Sequence, residues 1–107
     1  MPGTGERRIV SVLISDVVDS TVIAETLGPE RSKFLIDEVM RIMAEQVRRF
    51  DGTVAQLVGD ELLAFFGAPV AHEDDSERAV RAALAIRDFA LEDGLELRIG
   101  ITTGEAL

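Results

Sequence analysis

Asp16 ends the apolar run in "LISDVVDST" (residues 13–21), Asp19 follows it, and Asp60 interrupts a second apolar run, "QLVGDELLAFFG" (56–67). Two ionised carboxylates brought within a few Å repel each other unless a cation lies between them. Aspartates, backbone carbonyls and water make an all-oxygen ligand set, which suits Mg2+ or Mn2+ and not zinc. After Asp16 comes "VVDST", a strand-to-helix turn whose backbone N–H groups can donate to phosphate oxygens at a helix N-terminus. A carboxylate-held metal beside such a turn is equipment for phosphoryl or nucleotidyl transfer. Turn chemistry is the competing account: Asp after a strand is a common helix cap, and Gly-Asp is a common hairpin turn.

The metal account requires the two strand ends to meet. Residues 8–16, "RIVSVLISD", read as a strand with Val10, Val12 and Ile14 on one face and Ile9 and Leu13 on the other. Apolar residues on both faces mark a central strand. Residues 20–27 form a short helix with Asp19 or Ser20 as cap, and Pro29 opens the next one. There Ile36, Val39, Met40, Met43, Val47 and Phe50 make an apolar stripe, while Arg31, Lys33, Asp37, Arg41, Glu45 and Arg48 face away. Asp51-Gly52 ends that helix. "TVAQLV" and "ELLAFF" are strands joined by a tight Gly59-Asp60 hairpin. A third helix covers about 76–91, and "LELRIGITTG" alternates as a last strand with Leu95, Leu97, Ile99 and Ile101 inward.

The order β-α-α-β-β-α-β predicts an α+β, ferredoxin-like palm, an antiparallel sheet with helices on one face. In that topology the first strand lies beside the third and runs against it. Asp16 and Asp60, 44 positions apart in the numbering, then share one sheet edge.

Bulk properties narrow the chemistry. The 107 residues suit one domain, and with no cysteine the chain has neither disulfides nor thiolate metal sites. The absence of cysteine suits a reducing cytoplasm. Eleven basic against twenty acidic residues give a net charge of −9, which argues against nucleic acid or an anionic membrane as partner. A nucleotide remains compatible, because a divalent metal can carry a triphosphate into an acidic site. No window reaches the roughly 18 apolar residues of a membrane span. Residues 1–7 read as a flexible lead rather than a signal peptide.

Other polar residues read as structure. His72 with Glu73, Asp74 and Asp75 is taken as solvated helix-capping sequence rather than a metal cluster. Arg48, Arg49, Arg78 and Arg81 are taken as surface charges paired with nearby acids. Glu61 is expected to face solvent, and Met40 and Met43 to lie in the core.

Three stretches, "VSVLISDVVDSTVIAETLGPER", "GTVAQLVGDELLAFFGAPVAHEDDSERAVRAALAIRDF" and "LELRIGITTGEAL", resemble the class III nucleotidyl cyclases, the bacterial type of adenylate and guanylate cyclase catalytic domain. The resemblance runs from about Arg8 to Leu107 and corresponds to the N-terminal part of that domain. It implies two Mg2+ or Mn2+ ions held by Asp16, Asp60 and the Val17 carbonyl. It implies that Val18, Asp19, Ser20 and Thr21 cradle the triphosphate of ATP or GTP. One ion would activate the ribose 3′-hydroxyl for attack on the α-phosphate and the other would steady pyrophosphate. Active sites would form between head-to-tail protomers, in a homodimer or a heterodimer with a cyclase-like domain.

Departures from the family pattern shape the expectation. Ile14 stands where the family usually has Phe, read as a core swap. Asp19 replaces a glycine of the phosphate turn and is read as an outward helix cap. Gln56 occupies the purine-reading position, where a lysine or glutamate is usual, so ATP and GTP both stay open. The family's transition-state Asn and Arg correspond to positions beyond Leu107; the chain has no Asn, and Arg98 sits outside any motif. The alternatives are a non-catalytic cyclase-like binding or dimerisation module and, more distantly, a diguanylate-cyclase-like palm suggested by "VGDEL".

Overall fold

The computed structural model of the chain describes residues 8–92 and 94–106; the N-terminal lead expected over residues 1–7 lies outside them. The elements are β1 (Arg8–Val17), α1 (Ser20–Leu27), α2 (Pro29–Arg49), β2 (Thr53–Val58), β3 (Glu61–Phe66), α3 (Asp75–Glu92) and β4 (Leu97–Ala106). The four strands form one sheet in the order β2-β3-β1-β4, with every neighbouring pair antiparallel. This is the ferredoxin-like palm expected from the element order, with β1 central. No helix among the described residues is long and apolar enough to cross a membrane.

One face of the sheet carries the core. Leu13 and Val17 of β1 and Leu62, Ala64 and Phe66 of β3 pack with Met43 and Val47 of α2 and Ala82 and Ile86 of α3. The other face is more open. Ile14, read from the resemblance as a core residue, is 46% exposed there, so the exchange for Phe is a surface change in this chain. Ile9 is exposed as well, and the inward positions flanking Leu13 belong to Ser11 and Ser15, both fully buried. The Ser11 hydroxyl shares a 2.8 Å hydrogen bond with the Thr103 hydroxyl, its register partner on β4. The Ser15 hydroxyl has no partner among the described residues.

Chain reversals depend on local backbone chemistry. Gly28 precedes Pro29, which opens α2 as its first residue. At the far end of α2 it is Asp51, not Gly52, that takes the left-handed conformation, with φ 60°. Gly52 serves close approach instead: a Cβ there would lie 2.6 Å from the Phe66 ring. Arg49 pairs with the Gln46 amide oxygen and sits 5.0 Å over the Phe50 ring, with no acid paired to it among the described residues.

Arg78 departs furthest from the expected surface role. It is buried and donates to Asp74, to Asp75 and, at 2.7 Å, to the Phe50 carbonyl. The Asp75 carboxylate is buried too and accepts the His72 amide at 2.9 Å. This cluster clamps the start of α3 to the end of α2, which explains a buried arginine: each charge is paired and hydrogen-bonded. Arg81 does pair at the surface, with Glu77.

Candidate functional site

The site is assembled where β1 ends. Asp16 lies opposite Glu61 in the β1–β3 register, and the Val17 amide donates to the Asp60 carbonyl at 3.2 Å. The end of β1 and the two-residue turn after Val58 are therefore held together by backbone, as the topology predicts. On the other side, Val17 lies opposite Leu97, and the Val18 amide donates to the Glu96 carbonyl at 2.8 Å. Asp16, Val17 and Asp60 thus occupy one end of the sheet.

Register partners project to the same face of a sheet. Glu61 on β3, Asp16 on β1 and Arg98 on β4 accordingly form a row across the open face. Glu61 is exposed, as expected. Sequence reasoning missed Arg98: its Nε donates to Asp16 Oδ1 at 3.2 Å. The Asp16 side chain is 28% exposed and Arg98 73% exposed. Only the β1–β4 register, which joins residues 82 positions apart, reveals this pair.

The donor chemistry fits a hard divalent cation. Among the described residues no group of three or more His, Asp or Glu side chains is arranged to hold a metal, and this includes the sequence around His72. A closed protein cage is therefore absent there. Two carboxylates with a backbone carbonyl instead match an ion that fills its shell with water and phosphate, the usual habit of Mg2+.

The turn after Asp16 is narrower as an anion site than the sequence implied. The Val18 amide is occupied by the Glu96 carbonyl. Asp19 adopts a left-handed conformation, φ 56°, and its side chain makes no capping bond. An N-cap side chain reaches the helix amides from extended backbone, so a residue that takes over a glycine's conformation forfeits that contact. The Asp19 carbonyl still begins the helix by accepting the Ile23 amide at 3.0 Å. The amides of Ser20, Thr21 and Val22 form the first helical turn, have no intrahelical acceptor and face no other backbone acceptor among the described residues.

Gln56 reaches the open face through an irregularity. The β2–β3 register shifts between Val54 and Gln56, so that Gln56 lies opposite Leu63 instead of Leu62. Leu62 is a core residue, so the extra residue, Ala55, turns Gln56 away from the helices. Gln56, Val58, Asp60, Glu61 and Leu63 then line a cleft of about 230 Å³.

With that geometry established, the relatives are informative. Residues 4–107 match the family described as the adenylate and guanylate cyclase catalytic domain. The chain is 35% identical over 82 residues to adenylate cyclase 1 of Rhizobium meliloti, which covers 77% of the chain and 12% of that protein. The structure of the adenylyl cyclase CyaB from P. aeruginosa superposes with a TM-score of 0.84 at 28% identity, over 94% of this chain and 58% of that one. The guanylyl cyclase Cya2 gives a TM-score of 0.69 at 34% identity, over 94% of this chain and 56% of that one. The chain thus spans little more than half of these solved domains and a small part of the full-length enzyme. From its motifs, its fold and these matches, the chain belongs to the adenylate and guanylate cyclase catalytic-domain family.

Proposed function

We propose that this chain supplies the metal- and triphosphate-holding portion of a nucleotide cyclase, which forms a 3′,5′-cyclic nucleotide and pyrophosphate from ATP or GTP in a cytoplasmic signalling protein. The observation that carries the reading is the meeting of Asp16 and Asp60 at one sheet end, secured by the Val17–Asp60 backbone hydrogen bond. Asp16 and Asp60, with the Val17 carbonyl, would hold Mg2+ or Mn2+. When bound, two such ions would supply charge neutralisation at the attacking hydroxyl and the leaving pyrophosphate. The chain's own part is positional. The first-turn amides of α1 receive phosphate oxygens, and the sheet fixes their relation to Asp16.

Gln56 bears on substrate choice. Its amide both donates and accepts, so it can meet the hydrogen-bonding edge of either purine. The complete active site forms between two domains arranged head to tail, either two copies of this domain or this domain and a cyclase-like partner.

The test is Mn2+-dependent nucleotide binding by the wild type, Asp16→Ala and Asp60→Ala. Both variants are expected to lose it while keeping the wild-type circular dichroism spectrum. Unchanged affinity in both would overturn the metal assignment. A second reading, a cyclase-like module that binds nucleotide without turning it over, draws on the neutral Gln56 at a position where a charge would select the base. Cyclic nucleotide production by the full-length protein separates the two.

A further inference from the structure

Arg98 is the ion-pair partner of Asp16 among the described residues. Its placement follows from the row across the sheet end, where Asp16 has Glu61 opposite it on β3 and Arg98 opposite it on β4. Like charges directly opposite on neighbouring strands destabilise a sheet, and an opposite charge offsets them. Arg98 is thus positioned to neutralise Asp16 when no other cation does so.

The contact is built to be broken. A single guanidinium N–H, on Nε, reaches one carboxylate oxygen at 3.2 Å rather than gripping both oxygens. The arginine side chain is 73% exposed. Ion pairs of this kind are weak and sensitive to salt.

We infer that Arg98 is a displaceable counter-ion on the metal-ligating aspartate. The guanidinium and a divalent cation compete for the Asp16 carboxylate, so metal binding moves Arg98 off Asp16 and Arg98 lowers the metal affinity. This rests on Asp16 being a metal ligand, as proposed above. Arg98 here acts on the ligand and sets how readily the metal enters.

The experiment uses the 107-residue chain with metal alone and no nucleotide. In the metal-free protein the Arg98 Nε–H signal, followed by NMR, should be shifted from that of a free arginine. Asp16→Asn should abolish the shift, and Mg2+ titration should reverse it. Arg98→Gln should bind Mn2+ about two- to five-fold more tightly than wild type, the range set by an exposed ion pair. Arg98→Lys, which keeps the charge, should stay near wild type. Arg8→Gln, at the opposite end of β1, should change nothing and so controls for net charge.

An Arg98 signal indifferent to both Asp16→Asn and Mg2+ would overturn the inference. So would an Arg98→Gln affinity equal to or weaker than wild type. If the signal responds to Asp16→Asn but neither wild type nor Arg98→Gln binds Mn2+, the ion pair is real. The metal assignment of Asp16 then fails, and the competition fails with it.

Discussion

The Val17 amide donates to the Asp60 carbonyl across 3.2 Å, joining the end of β1 to the hairpin turn between β2 and β3. Through this bond the backbones of two distant aspartate-bearing segments become neighbours. Asp16 and Asp60 should therefore act as a unit toward metal. Asp16→Asn and Asp60→Asn are each expected to lose the Mn2+-dependent part of nucleotide affinity, and the double variant should be no worse than either single. Calorimetric titration with and without Mn2+ measures this, and additive losses would indicate independent sites.

Gln56 should govern base preference. Lysine there only donates and glutamate only accepts. Gln56→Lys and Gln56→Glu are expected to move the ATP-to-GTP affinity ratio in opposite directions, each by about ten-fold or more. Competition binding in the head-to-tail assembly reads the ratio.

Ala55, the extra residue of β2, should be dispensable for placing Gln56. Removing Ala55 restores regular pairing with Val54 opposite Ala64 and Gln56 still opposite Leu63, on the open face. The deletion is expected to keep any purine discrimination that depends on Gln56 and to strengthen the β2–β3 pairing around it. Hydrogen exchange at Gln56 and Leu57 reports the second effect.

Arg78 should be a stability residue with no role in binding. Arg78→Met removes the cation paired with the buried Asp75 carboxylate, which keeps only the His72 amide, and the side-chain donor to the Phe50 carbonyl. Breaking a buried pair on one side costs about 3–5 kcal/mol, so Tm should fall by more than about 10 °C. The pH dependence has a definite sign. The Arg78 hydrogen bond holds the Asp74 carboxyl below the usual aspartate range. That stabilisation is complete above about pH 4 and is lost as pH falls through the lower folded value. The stability gap between wild type and Arg78→Met should accordingly be full above about pH 4 and narrow below it, as read from urea unfolding at several pH values.

Gly52 should tolerate no side chain. Gly52→Ala places a Cβ 2.6 Å from the Phe66 ring and 2.9 Å from Val47. Overpacking of this sort costs about 1–3 kcal/mol. Trimming the ring in Gly52→Ala/Phe66→Leu should recover part of the loss relative to the sum of the single variants, again by urea unfolding.

Much of this architecture was legible in the sequence because its signals are local. The alternation in "LELRIGITTG" and the spacing of Val39, Met40, Met43 and Val47 specify elements without outside information. The sheet-edge meeting of Asp16 and Asp60 then followed from element order. The missed features depend on tertiary partners. Ser11 and Ser15 are polar residues at inward positions, which an apolar pattern cannot mark. Arg78 is buried only because Asp75 and the Phe50 carbonyl come to it. The left-handed turn falls on Asp51, where the Asp51 and Gly52 amides close the end of α2 onto the Arg48 and Val47 carbonyls, while Gly52 lies under the Phe66 ring. Arg98 acquires its partner through strand register alone.

The Ser11–Thr103 hydroxyl pair has a role that its own position conceals. It lies on the same two strands as Asp16 and Arg98, five residues back along β1, which is about 17 Å at strand spacing. A slip of β4 by one residue that brings Gly104 opposite Ser11 would carry Thr103 to the opposite face and leave the buried Ser11 hydroxyl without that partner. The same slip would turn Arg98 toward the helices. The Ser11–Thr103 pair thus acts as an alignment peg against that slip: a hydroxyl contact at one end of the strand pair bears on which charges meet at the other.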